Sequence, residues 1–293
     1  LRYRAHSPAS TTLPSKLQRP EAADLLPRPH LVRILAGKEA APLVWLHAPA
    51  GAGKSALLAT FLRQHRGPSL WYEVDPSDRD VSGLFFHLEL ALQRCLNVQA
   101  TLPRWQASLP IGLDGFARRF FTEFFRALPS NTCLVFYNYQ EASTNAEWNL
   151  VFRELLAARS AGVRVLVSSR GVPPTALARF RAAEQMDVLT FGDLRFRPGE
   201  IDKLARKRGV SDQAEIAHIT RTSDGWAVAV TLLCGALRDS RRRARAPMRP
   251  RPVASVFEYL AGEVLERLDP DLRAFLLDVA LLPAFDVPAA AQV

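Results

Sequence analysis

Between a short apolar run at 43–46 and a helical pattern that opens at Ala56, the chain carries Ala48-Pro49-Ala50-Gly51-Ala52-Gly53-Lys54-Ser55. A glycine-rich turn that ends in Lys-Ser and joins a strand to a helix constrains the fold more than any other feature here, because it belongs to a βαβ unit. Gly51 and Gly53 allow the tight turn and the close backbone approach that turn N–H groups toward an anion. The helix that follows adds the positive end of its dipole. Lys54 then supplies a point charge toward the β- and γ-phosphates, and the Ser55 hydroxyl is a ligand suited to Mg²⁺. Ala48 stands where this pattern has its first glycine, and it serves there if its backbone keeps a negative φ. An ordinary glycine-rich turn is the other reading of these eight residues, and the order strand, loop, helix favours the phosphate loop.

The rest of the N-terminal two thirds fits that unit. β-rich runs at 43–47, 69–74, 132–138, 164–168 and 187–191 alternate with helical patterns at 55–64, 81–96, 116–128, 147–159 and 174–181. This alternation predicts an α/β domain with a five-stranded parallel sheet. Phe116, Phe120, Phe121, Phe124 and Phe125 form a stripe at helical spacing with no interleaved basic residue on the same face, so the stripe is expected to pack on the sheet and not to stack nucleobases. Ligands of such sheets bind at the carboxyl ends of the strands. That rule singles out the phosphate loop, then Asp75, Asp78 and Asp80, then Tyr137, Asn138, Tyr139 and Gln140, then Ser168, Ser169 and Arg170.

From Pro198 the pattern is helical, at 199–208, 212–222 and 226–237, with Asp224-Gly225-Trp226 as a break. An Arg/Pro-rich stretch at 238–252 reads as a linker, and helical pieces resume at 253–268 and 271–282. The expected domains are a flexible basic leader at 1–20, a nucleotide domain at 21–192, a helical subdomain at 193–237, the linker, and a last, incomplete domain at 253–293.

The formal charge of +9 does not mark the folded body as a nucleic-acid binder. Seven arginines in 238–251, with Arg2, Arg4, Lys16 and Arg19, carry the excess, which leaves the remainder near neutral. The reading therefore assigns no direct nucleic-acid contact. No apolar stretch approaches the ~18 residues of a membrane span. Cys95, Cys133 and Cys234 lie far apart in apolar runs, which suits buried thiols in a reducing cytoplasm. The first twenty residues have a basic, acid-free composition reminiscent of a transit peptide, but Pro8, Pro14 and Pro20 favour an unstructured leader.

Hydrolysis of a nucleotide needs a carboxylate near Mg²⁺ as well as a phosphate cradle. The hydrophobic strand that should end in one, Cys133-Leu134-Val135-Phe136, runs into Tyr137-Asn138. Asn138 is a weak catalytic candidate, and Glu141 is three residues beyond the strand. Three readings stay open: a nucleotide holder with slow or no hydrolysis, an active ATPase whose site is completed in space by another acid such as Asp75 or Asp78, or an interaction scaffold that binds no nucleotide.

The order of these motifs resembles the STAND class of signal-transduction P-loop ATPases, in particular the bacterial MalT-type (LuxR-family) regulators. The resemblance runs over about 15–285. Ser15-Lys16-Leu17 and Leu26-Pro27-Arg28-Pro29-His30-Leu31 look like the lead-in, whose arginine, here Arg28, lies near the adenine. The phosphate loop is similar to that family's own, where alanine at the first position is usual. Asp75-Pro76-Ser77-Asp78 resembles its second loop, and Val167-Ser168-Ser169-Arg170 its sensor strand, whose arginine approaches the γ-phosphate. Asp193-Leu194-Arg195-Phe196 and Asp224-Gly225-Trp226 look like the opening and the Gly-Trp turn of its helical subdomain, and Phe257-Glu258-Tyr259-Leu260 like the start of a winged-helix-like domain. The chain departs from the pattern at Tyr137, where the family places its metal-binding acid. The resemblance implies an AAA-like P-loop fold, ATP or ADP with Mg²⁺ at a weakened site, and a switch between closed and self-associating states. It also implies a longer parent protein with a helical-repeat sensor and a DNA-binding helix-turn-helix.

Overall fold

The computed structural model describes residues 13–21, 25–37, 41–106 and 110–244, with Ala274 beyond them. Among these, β1 (Leu43–His47), β2 (Ser69–Glu73), β3 (Cys133–Tyr137), β4 (Arg164–Ser169) and β5 (Met186–Leu189) form one sheet in the order β2-β3-β4-β1-β5. Every pairing is parallel. Near-continuous apolar runs such as Leu-Val-Trp-Leu in β1 suit a sheet covered on both faces.

The covering helices are α1 (Pro29–Ala36), α2 (Lys54–Gln64), α3 (Ser82–Cys95), α4 (Gly112–Ala127), α5 (Ala146–Ala158) and the short α6 (Ala178–Ala182) and α7 (Phe191–Leu194). Alternation along the strands sorts them into two layers. Val44, Leu46, Trp71, Val135 and Leu166 face a core built with α1 and α2, through Leu31, Leu35, Leu57, Leu58 and Phe61. Trp45, Tyr72, Phe136, Val165 and Val167 face the other core, built with α3, α4 and α5. The phenylalanine stripe of α4 lies wholly in that second core, where Phe120 and Phe124 stack at 6.2 Å and Phe85 meets Phe120 edge-on at 4.8 Å. It is packing, as the absence of basic residues from its own face predicts.

Several elements depart from the sequence reading. The segment 187–191 ends as a strand at Leu189, because Asp193 accepts hydrogen bonds from the Thr190 amide (2.7 Å) and hydroxyl (2.8 Å) and so turns the chain into α7. Proline at its first position starts α1, a helix absent from the sequence reading. The leader is not wholly a solvated tail. A 3-10 turn at Ser15–Leu17 buries Leu17 in the α3–α5 core, and buried Lys16 donates to both Asp78 oxygens at 3.0 and 3.1 Å. Cys95 is exposed, whereas Cys133 and Cys234 are buried thiols.

The chain divides after Leu194 into two compact units. In the second, α8 (Pro198–Lys207), α9 (Gln213–Ser223) and α10 (Ala227–Ala244) bury Ile201, Leu204, Ile216, Ile219 and Val230. Beyond Leu237, where the sequence reading ends this helix, α10 continues through Arg241–Arg243, because arginine is a good helix former and no proline intervenes before Pro247. Residues 245–252 of the linker and the winged-helix-like segment, except Ala274, lie outside the described residues. No helix among the described residues is long and apolar enough to cross a membrane.

The two motifs expected to open and turn this unit meet in space. The Phe196 amide donates to the Gly225 carbonyl at 2.8 Å, and Arg195 pairs with Asp224 at 2.6 Å. Gly225 has φ of +75°, and a Cβ there would lie 2.7 Å from the Phe196 carbonyl oxygen. Gly225→Ala is therefore expected to lose about 2 kcal/mol from left-handed strain and backbone displacement. In a unit of this size that lowers the thermal midpoint by about 8 °C or more. Gly235→Ala, in the open interior of α10, is expected to raise it slightly. Circular dichroism melts of the two variants check the pair.

Candidate functional site

The phosphate loop leaves the carboxyl end of β1 and enters α2. Gly51 and Gly53 adopt φ of +69° and +88°, conformations that glycine takes at little cost, and Gly53 caps α2. Ala48 is buried and is not among the positive-φ residues, so alanine fits this backbone. Its amide donates to the Ser169 carbonyl at 3.3 Å, which fastens the start of the loop to β4. Pro49 accepts from the Ala52 amide at 3.4 Å, closing the turn that also contains Ala50. Lys54 and Ser55 are the first two residues of α2, where amides have no intrahelical acceptors.

Lys54 is the buried cation of the site. Its ammonium donates to the Ala48 and Pro49 carbonyls at 2.6 and 2.9 Å, folding the side chain over its own loop. Burial, and then the charge of Arg170, hold its pKa down at about 8. Lys54 and Arg170, more than a hundred residues apart in sequence, thus lie near enough for one charge to act on the other. Arg28, buried just before α1, donates to the Leu194 carbonyl at 2.7 Å and ties α1 to the end of α7.

The ends of β2, β3 and β4 form a second, polar part of the rim. Asn138, in the left-handed region at φ +60°, donates to a Glu73 carboxylate oxygen at 3.2 Å. Gln140 donates to the Asn138 side-chain carbonyl (3.3 Å) and to Glu141 (3.1 Å), and its own carbonyl accepts from the Arg170 amide at 3.0 Å. Tyr137 lies against Trp71, with ring centres 5.2 Å apart. The Ser168 hydroxyl is fully buried and has no hydrogen-bond partner.

The structure overturns the idea that Asp75 or Asp78 completes the site. Asp78 is buried among Lys16, the Tyr72 hydroxyl at 2.5 Å and the Asp75 amide at 2.8 Å. Asp75 takes Lys16 at 3.1 Å and the Ser77 amide at 2.9 Å, and these bonds outweigh its burial and hold its carboxyl below the ordinary value. Both acids fasten the 3-10 turn at Ser15–Leu17 against β2 and are committed to the fold. The carboxylate absent from the sequence reading is Glu73. Alternation from Trp71 is the signal that could have found it, since it puts Glu73 on the α2 face at the last position of β2. Among the described residues no three His, Cys, Asp or Glu side chains gather into a metal cluster. A Mg²⁺ that arrives with phosphates does not require one, and the Ser55 hydroxyl at the start of α2 is of the type that would hold it.

No family model matches the chain. It is 28% identical to the HTH-type transcriptional regulator MalT of Vibrio campbellii, over 94% of this chain and 31% of that protein. It thus spans about a third of the length of the curated relatives it matches. Its fold is similar to that of a STAND protein with a tetratricopeptide repeat sensor from Pyrococcus horikoshii (TM-score 0.52, 17% identity, 92% of this chain and 36% of that one). It is similar also to a Walker-type ATPase of Pyrococcus abyssi (TM-score 0.56, 16% identity, 92% and 88%). The phosphate loop lies on β1 of the five-stranded sheet, the sequence relatives are MalT regulators along nearly the whole chain, and the fold is shared with STAND and Walker-type ATPases: the chain resembles a P-loop module of the MalT-type STAND class.

Proposed function

We propose that this module binds ATP or ADP and works as a regulatory switch with little or no hydrolysis. The observation that carries the reading is buried Lys54, within reach of the Arg170 charge, on a loop whose glycines already hold the turned conformation. In this reading residues 48–55 cradle the phosphates, Ser55 meets Mg²⁺, Arg170 distinguishes the third phosphate, and Arg28 lies on the adenine side. Tyr137 at the end of β3 leaves no acid there to position an attacking water, so the nucleotide is held in preference to being turned over. A switch needs only different contacts for ATP and ADP, because differential affinity is what shifts a conformational equilibrium.

The wider reading rests on the relatives. The nucleotide domain (21–192), helical subdomain (193–237) and winged-helix-like segment (253–293) would be the switching part of a longer cytoplasmic protein. Its sensor and DNA-binding domains would lie beyond this chain, and ATP would favour self-association. Titration of ATP and ADP by calorimetry, with and without Mg²⁺, together with steady-state phosphate release, tests the core of it. Binding of both nucleotides with release no faster than in Lys54→Ala is the expected result. Turnover that Lys54→Ala abolishes would replace the silent switch with an active ATPase.

Lys54 gives a second expected result. At pH 8, close to its pKa of about 8, roughly half of the lysines are neutral in the free protein. Phosphates raise that pKa, so binding at pH 8 takes up roughly half a proton, while below about pH 7 the lysine is already charged and takes up almost none. Calorimetry in buffers of different ionisation enthalpy measures this uptake. Equal binding enthalpies in Tris and HEPES at pH 8 would show that Lys54 does not meet the phosphates.

A further inference from the structure

The strand ends beside the phosphate loop carry a row of side chains on the α2 face of the sheet. Leu46 of β1 is in register with Ser168 of β4, and Tyr137 of β3 with Glu73 of β2. Phe136 is in register with Val167, which sets Tyr137 level with Ser168 and completes the row. The alternation that puts Trp71, Val135, Leu166 and Leu46 in the core under α2 assigns Glu73, Tyr137 and Ser168 to that same face.

Glu73 is the acid within this row, on the last position of β2, whereas the other acids of the rim lie beyond the strand ends. Asp78 and Asp75 are bound to Lys16, Asp80 accepts from the Ser82 amide at 2.9 Å, and Glu141 takes the Gln140 amide. Glu73 is only partly exposed, and a single hydrogen bond, from Asn138, engages one of its oxygens. The other oxygen retains its full accepting capacity. Three hydrogen bonds, Asn138 to Glu73, Gln140 to Asn138 and the Arg170 amide to Gln140, then join this carboxylate to the arginine that acts on Lys54. The buried, unpartnered Ser168 hydroxyl, between Tyr137 and β1 in the row, is an independent sign that a polar guest belongs on this face.

We propose that Glu73 is the carboxylate of the nucleotide site, acting from β2 in place of an acid at the end of β3, and that it supports the Mg²⁺ bound with the nucleotide. The proposal rests on the nucleotide-binding reading above. Mg²⁺ in such sites keeps waters and needs only one or two carboxylates besides the phosphates. Asn138, in this view, is a positioning residue that aims the Glu73 carboxylate, which explains why an amide suffices there.

The test is calorimetric titration of ATP in Mg²⁺ and in EDTA, for the whole chain, Glu73→Gln and Asn138→Ala. The unsubstituted protein is expected to bind at least about tenfold more tightly in Mg²⁺. Glu73→Gln should bring the two affinities within about twofold while leaving the EDTA affinity unchanged, and Asn138→Ala should give an intermediate ratio. An unaltered ratio in Glu73→Gln would overturn the proposal, and so would an equal loss in Mg²⁺ and EDTA, which marks a structural role. If the unsubstituted chain binds ATP without any Mg²⁺ dependence, this proposal falls and the nucleotide reading stands. If it binds ATP under neither condition, the nucleotide reading itself falls.

Discussion

Lys54→Ala is expected to remove most of the stabilisation that nucleotide confers while leaving the ligand-free fold nearly as stable as before. A ligand at ~100 times its dissociation constant adds about 2.7 kcal/mol, which for a unit the size of the first one raises the melting midpoint by about 5–10 °C. A hydrogen bond from a charged donor contributes about 1.5–3 kcal/mol, so its loss weakens binding by roughly ten- to 150-fold. At the same nucleotide concentration the variant would therefore keep less than about half of the shift. Without ligand, two effects oppose each other. The variant loses the bonds to the Ala48 and Pro49 carbonyls at 2.6 and 2.9 Å, but it also loses a desolvated cation beside Arg170. The net change in the ligand-free stability is expected to stay within about 1 kcal/mol. Differential scanning fluorimetry with and without ATP separates the two quantities. A full nucleotide shift in the variant would mean that the loop does not hold the phosphates.

The parts of this molecule that the sequence announces are those fixed by local chemistry. The glycines, the Lys-Ser pair and the apolar run before them specify a strand, turn and helix whatever the rest of the chain does, and the stripe on α4 declares its buried face by spacing alone. The strand ends are legible too, and Arg170 stands among the residues that leave β4. What the sequence conceals depends on partners distant along the chain. Lys16 reads as one more charge in a basic leader until Asp78, sixty-two positions on, is seen to hold it. Asp75 and Asp78 read as candidate metal ligands until the same contact commits them to the fold. Glu73 escapes by one position, because the rule for parallel sheets points to residues beyond a strand and Glu73 is the last residue within it. Strand register, which sequence periodicity does not reveal, is what sets it beside Tyr137.

That register also makes Tyr137→Asp the most informative single change at the rim. It places a carboxylate on the α2 face one strand nearer to β1 than Glu73, next to the Ser168 hydroxyl. The expected result is a rise of about tenfold in the Mg²⁺ dependence of ATP binding, equivalent to about 1.4 kcal/mol. Binding in EDTA should weaken, because the new charge then faces the phosphates with no metal between them. The substitution also has a structural cost. It removes the ring contact with Trp71 at 5.2 Å, a loss of about 0.5–1.5 kcal/mol. It also sets two carboxylates directly opposite across β2 and β3, since the introduced aspartate would face Glu73 in register, and like charges so placed repel. The ligand-free midpoint should therefore fall, and Tyr137→Asp combined with Glu73→Gln should recover part of it while retaining an acid on β3. If Glu73 is the resident carboxylate, the double variant keeps a Mg²⁺ dependence that Glu73→Gln alone has lost. An unchanged Mg²⁺ dependence in Tyr137→Asp would mean that the end of β3 does not face the phosphate loop's metal, and the assignment of that strand to the site would be wrong.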